Sequence, residues 1–121
     1  MSDDEVLKLC DVIRQTSHDN HKYPKSGHFE KVYENALAHR LRKLGIGVKQ
    51  QHDLAVFDED GALLGKMTAD LFVENVLIIE VKACKTLTQE HIAQIFGYLR
   101  ASRVEHGLLI NFGSPILEIK K

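Results

Sequence analysis

The sequence predicts an α/β (α+β) fold, a mixed β-sheet flanked by helices, with elements in the order α-α-β-β-β-α-β. Three observations carry this expectation. Helical periodicity runs through the first 44 residues, three consecutive strand-like runs follow between residues 48 and 83, and a capped helix then leads into a short apolar β run. A meander followed by a helix and a returning strand implies a mixed sheet with helices covering its faces.

Residues 4–17 set Val6, Leu7, Leu9, Val12 and Ile13 among charges, the pattern of an amphipathic helix. His18 to Gly27 is polar, contains Pro24, and reads as a loop. Ser26 is placed to cap a second helix that runs to Leu44 and stops at Gly45. Its apolar stripe is Phe29, Val32, Tyr33, Ala36, Leu37, Leu41 and Leu44. Strand runs are expected over 48–57, 62–73 and 76–83, separated by the turn signals Asp58-Glu59-Asp60-Gly61 and Glu74-Asn75. Thr86 and Gln89 fit a capping box for a helix over 87–102. Gly107 to Phe112 follows as a buried strand, with an edge strand near Ile116 to Ile119.

Length and composition place residues 1–121 in one domain, because an ordinary globular mixture of this size supports a core unaided. No apolar run is long enough to span a membrane, and no basic-then-apolar leader opens the chain. Cys10 and Cys84 have neither metal-type nor redox-type spacing and read as reduced thiols, which points to the cytoplasm. A net charge of -1 argues against tight nonspecific gripping of nucleic acid, where phosphate contacts supply much of the affinity. The local basic group His39, Arg40, Arg42 and Lys43 falls at an expected helix C-terminus, where the helix dipole favours cations in any case.

The chemistry concentrates in Leu77-Ile78-Ile79-Glu80-Val81-Lys82, where Glu80 and Lys82 alternate with apolar residues and so share a strand face. Charges in a buried strand are expensive unless paired or bound to a metal. Asp70 is a similar charge in the preceding run. A two-residue turn at Glu74-Asn75 would leave Asp70 and Glu80 on opposite faces; a three-residue loop, with Asn75 left-handed, brings Asp70, Phe72, Ile78, Glu80 and Lys82 together. Leu71, Val73, Leu77, Ile79 and Val81 then form an uninterrupted apolar face, which favours the odd loop. Two converging carboxylates suit Mg²⁺ or Mn²⁺, which take oxygen ligands, and Lys82 is placed to orient or deprotonate a water. A buried ion pair of Lys82 with Asp70 or Glu80 accounts for the same spacing. Glu30, in line with Tyr33, Leu37, Leu41 and Leu44, is expected to face inward as a further acid, and a first-turn acid favoured by the helix dipole is the competing reading. His91, Gln94 and Tyr98 form a polar stripe on the third helix.

Gly27-His28-Phe29-Glu30-Lys31-Val32-Tyr33 reads G-x-x-E-x-x-Y, and the chain resembles the GxxExxY protein family of the PD-(D/E)XK nuclease-like superfamily. The likeness runs from Val12 to Ile119. It takes in Tyr33-Glu34-Asn35-Ala36-Leu37, Ala69-Asp70-Leu71, Glu80-Val81-Lys82-Ala83, Gln94, Tyr98-Leu99 and Gly107-Leu108-Leu109-Ile110-Asn111-Phe112. It implies a restriction-endonuclease-like sheet, Asp70 and Glu80 as ligands of Mg²⁺ or Mn²⁺, Lys82 as the catalytic lysine, Glu30 as an auxiliary acid and ligand, and Gln94 as a supporting polar group. Tyr33, His91 and Tyr98 are assigned to substrate contact. The function expected is metal-dependent hydrolysis of nucleic acid, DNA above RNA, in a homodimer that builds a longer groove. The alternative is a catalytically silent binding or assembly module, favoured by the missing basic footprint. Thr68 stands where family members commonly carry a basic residue, and Lys25-Ser26-Gly27 where a Gly-Pro-Gly segment is usual.

Gly61-Ala62-Leu63-Leu64-Gly65-Lys66 is one residue short of a phosphate loop and is followed by Met67, so a hairpin turn and strand explain it better. His18, His21 and His28 match no defined zinc spacing.

Overall fold

The amphipathic stripe that begins at Val6 continues through Cys10 and Ile13 to Ser17 and Asn20, all on one buried face, so the first helix does not stop at residue 17. In the computed structural model, which describes residues 1–22 and 29–114 and the backbone of 118–120, α1 spans Asp3–Lys22. Its last turn absorbs His18 to Lys22, which was expected as loop. Ser26, Gly27 and the rest of the expected loop lie outside the described residues. The second helix, α2, is Glu30–Lys43, with Phe29 at its N-cap and no side-chain cap.

Three strands follow, β1 (Val48–Phe57), β2 (Leu63–Val73) and β3 (Leu77–Lys82), then α3 (Gln89–Ser102), β4 (His106–Asn111) and the short β5 (Glu118–Lys120). They form one sheet in the order β1-β2-β3-β4-β5, antiparallel except where β3 and β4 run parallel around the α3 crossover. The α3 cap differs in position from the expected one: Thr88, not Thr86, accepts from the His91 N–H, and the His91 ring accepts from the Thr88 N–H.

Helices α1 and α2 cover one face of the sheet and α3 the other. Val6, Leu9 and Ile13 of α1 and Tyr33, Leu37, Ala38 and Leu41 of α2 pack on Leu71, Val73, Leu77, Ile79, Val81, Leu108 and Ile110. This includes the apolar face predicted from alternation. Of the expected α2 stripe, Phe29, Val32 and Leu44 are exposed, and the helix buries Ala38 and Glu34 instead. Tyr33 is fully buried and stacks on Phe112, ring centroids 4.9 Å apart and planes 5° from parallel. Its assignment to substrate contact is therefore corrected: the ring is a core group, because a large stacked aromatic gains more from burial than from solvent. Ala69, Phe72 and Ile78 pack with Leu54, Leu99 and Val104 on the α3 side.

The end of β3 is fixed by its parallel neighbour. Buried Asn111 accepts from the Cys84 and Gly113 N–H groups and donates to the Cys84 carbonyl, and the Phe112 N–H donates to the Lys82 carbonyl. The backbone on both sides of Lys82 is thus tied down. Gly113 lies so close to this strand end that a Cβ would run into the backbone of Ala83 and Cys84. Gly113→Ala is expected to destabilise the protein by about 1–3 kcal/mol, the usual cost of overpacking against atoms that cannot move aside, read as a lower midpoint with unchanged slope in urea unfolding.

Candidate metal centre

The loop between β2 and β3 has three residues. Val73 pairs with Leu77, Glu74 and Asn75 both take left-handed conformations (φ 51° and 57°), and the Val76 N–H closes onto the Val73 carbonyl. The same register, carried past Leu71 opposite Ile79, brings Asp70 level with Glu80. The ladder stops there. Instead of a backbone bond, the Asp70 carboxylate accepts the Val81 N–H at 2.8 Å.

The alternation of β2 and β1 also changes at this point. Ala69 and Phe72 pack on the same side although three residues apart, and His52, opposite Ala69, stacks on Phe72 at 5.2 Å. The residue opposite Asp70 is Gln51, with a left-handed φ of 48° and no ladder partner, so the strands switch facing across this pair. Asp70 consequently does not simply join the face of Phe72 and Ile78, as strict alternation predicts. It points into the gap where β2 parts from β3.

Glu80 meets it there. Glu80 is 6 % exposed, and its Oε1 is buried with no hydrogen-bond partner. Burial first, then hydrogen bonding to and repulsion from the Asp70 carboxylate, push the Glu80 carboxyl from its ordinary 4.5 up to about 9, against the opposing pull of the Lys82 charge. Lys82 is half-buried on the same strand face. Among the described residues it makes no ion pair with Asp70 or Glu80 within 4.0 Å, so the buried ion pair that would also explain the spacing is not formed.

The helical candidates are placed differently from one another. Glu30 is exposed at the start of α2, not turned inward. The acid that α2 buries is Glu34, one turn later, and it is 3 % exposed. Glu34 takes hydrogen bonds from Lys31 (2.9 Å), Gln50 (2.8 Å) and Gln51 (2.7 Å), and the same Gln51 nitrogen reaches Asp70 at 3.2 Å. Sequence reasoning missed Glu34, Gln51 and the Asn111 clamp. The spacing Glu34, Leu37/Ala38, Leu41 could have revealed Glu34, since it continues the buried stripe by one turn. On α3, Gln94 donates to the Tyr98 hydroxyl at 2.9 Å from an exposed face, while the His91 Nδ1 is held in the helix cap. Nothing in the described contacts joins these three to Asp70 or Glu80. His21 bonds the Ser114 carbonyl and His18 is exposed; His28 lies outside the described residues. Lys66 of the glycine-flanked run pairs with Asp53 in the β1–β2 hairpin.

A family model described as the PD-(D/E)XK nuclease superfamily matches residues 8–121. The chain belongs to that superfamily. No curated protein and no solved structure gives a significant match. The mixed sheet flanked by three helices is the restriction-endonuclease-like architecture expected of a PD-(D/E)XK domain, and PD-(D/E)XK nucleases generally use divalent metal ions. No described helix is long and apolar enough to cross a membrane.

A divalent ion fits what the gap offers, since Glu80 Oε1 is a buried acceptor without a donor beside a second carboxylate. Without metal, the raised carboxyl has a definite consequence. The folded protein keeps the Glu80 proton up to about 9, while the unfolded chain releases it near 4.5. Stability from this group is therefore complete below the lower value and is lost as pH rises through the upper one. Metal-free protein is expected to lose stability between these limits. Glu80→Gln should flatten that slope and raise stability at pH 8, because the neutral amide folds without having to take up a proton. Urea unfolding in chelator at several pH values checks both.

Proposed function

We propose that the protein is a metal-dependent nuclease that hydrolyses a phosphodiester bond of nucleic acid, with DNA as substrate and Mg²⁺ or Mn²⁺ as cofactor. The observation that carries this reading is the orphaned, buried Glu80 carboxylate oxygen facing Asp70, with Lys82 next on the same strand face. Asp70 and the Glu80-Val81-Lys82 triplet then stand at the positions that give the superfamily its name, and the finer likeness to the GxxExxY family rests on Gly27, Glu30 and Tyr33. Glu80 and Asp70 hold the ion, which when bound supplies charge stabilisation at a phosphoryl oxygen and a more acidic water.

The protein's own groups do the rest. Lys82, fixed in direction by the bonds to its carbonyl and to Cys84, presents an ammonium that orients the attacking water and offsets negative charge building on the phosphate. It is available to do so because, among the described residues, no carboxylate pairs with it within 4.0 Å. Gln94 and Tyr98, linked on the exposed face of α3, are the nucleic-acid contacts, with Glu30 at the open rim of α2 as an outer acid. β1 forms the outer edge of the sheet, the side on which a second copy would extend the groove into a homodimer. Two cysteines that form no disulfide suit the reducing cytoplasm.

Plasmid DNA and structured RNA incubated with purified protein in Mn²⁺ or Mg²⁺ test the reading. Cleavage is expected to require metal and to fall about 100-fold or more in Lys82→Ala and in Asp70→Ala. Cleavage that persists in both variants assigns the activity to a contaminant. Tight metal binding without any cleavage marks the silent binding module, the outcome that a net charge of -1 favours.

A further inference from the structure

The Glu34–Gln51–Asp70 chain reaches further than the ligands themselves. Gln51 is exposed at the lip of the gap, yet its side-chain nitrogen makes two short bonds, 2.7 Å to Glu34 Oε1 and 3.2 Å to Asp70 Oδ1. An amide nitrogen carries two protons, so both are committed to carboxylates. The backbone that delivers this side chain is left-handed at φ 48°, a conformation that is unfavourable for a non-glycine residue and persists only when its surroundings enforce it. Here the surroundings are the two acids and the missing ladder pair between Gln51 and Asp70.

We infer that Gln51 is a positioning residue that aims the Asp70 carboxylate at the metal, using buried Glu34 as its anchor. This rests on the reading of Asp70 and Glu80 as the ligand pair. The reason for an amide is electrostatic. A lysine or arginine at this place would hold Asp70 equally well but would neutralise it, lowering its attraction for a cation. A neutral donor fixes the direction of the carboxylate and leaves its charge in place. Glu34 suits the anchoring role because it is itself saturated. Oε1 takes Gln51, and Oε2 takes Lys31 and Gln50, so the Lys31 ammonium balances its charge. Asp70 Oδ2 is fixed by the Val81 N–H, and the two bonds together leave the carboxylate one orientation. α2 therefore contributes to the centre through Glu34, acting by way of Gln51 of β1, and not through an inward Glu30.

The test compares wild type, Gln51→Met, Glu34→Leu, the Glu34→Leu/Gln51→Met double variant and Asp70→Ala. Mn²⁺ affinity of the metal-free protein is measured by calorimetry, with thermal melting and, on DNA, kcat and KM alongside. Gln51→Met keeps the length of the side chain and removes only the donor. It is expected to weaken Mn²⁺ binding about tenfold, the lower end of what loss of a partner to a ligand costs, with a cooperative melt and with kcat falling more than KM changes. The double variant should bind no more weakly than the worse single one, because the two residues act as one chain. Gln51→Met that melts earlier but binds Mn²⁺ as wild type does, while Asp70→Ala loses binding, overturns the positioning role and leaves the ligand pair standing. Multiplying losses in the double variant also overturn it. Asp70→Ala that binds as wild type does removes the ligand pair and the inference together. Should Glu34→Leu fail to fold, Gln51→Met against Asp70→Ala decides the matter alone.

Discussion

Where β2 runs beside β3, three ladder pairs hold the strands together, and at the fourth position a carboxylate takes the backbone N–H that a strand would ordinarily satisfy. That substitution of Asp70 for a ladder carbonyl opens the sheet while still giving the Val81 N–H an acceptor, which a buried backbone demands. The gap it creates is where Glu80 ends without a donor and where Gln51 crosses from the other neighbour of β2. Continued pairing of β2 with β3 would have closed the sheet and left no room for the acids to converge.

The apolar layers make this opening tolerable. On one side, α1 and α2 seal Leu71, Ile79, Val81 and Ile110 beneath a stacked Tyr33 and Phe112; on the other, α3 covers Ile78 and Phe72. A strand held this firmly can present a carboxylate whose charged form is disfavoured, since the cost is carried by the whole packed structure. The Asn111 clamp and the close approach of Gly113 extend the same rigidity to the backbone around Lys82. The lysine direction is thus set by β4, whereas the aspartate direction is set by β1 and α2.

Much of this was readable in the residues. The β-branched run with Glu80 and Lys82 announced a buried strand carrying charge, and the contrast between a charged and an apolar face argued for an odd loop at Glu74-Asn75, which the left-handed pair then forms. Glu30 misled because a helical stripe gives a face only to within about a residue, and α2 is rotated so that Glu34 enters the core while Glu30 and Val32 stay outside; Tyr33 is buried as the apolar stripe requires, against its assignment to substrate. The α1 helix outran its expected end because Ser17 and Asn20 are buried polar groups, which a hydrophobic pattern does not register.

By itself the sequence determined the order of elements and the parity of the β2–β3 hairpin, because periods of two and of 3.6 and the needs of turns are local properties of the chain. The tertiary structure alone decided that Asp70 turns into a gap between strands, that Gln51 adopts a left-handed kink to hold it, and that Glu34 is the acid α2 brings inward. Those outcomes depend on contacts between residues 11, 17 and 19 positions apart. Such contacts form only when the helix layer settles on the sheet, and no local pattern encodes them.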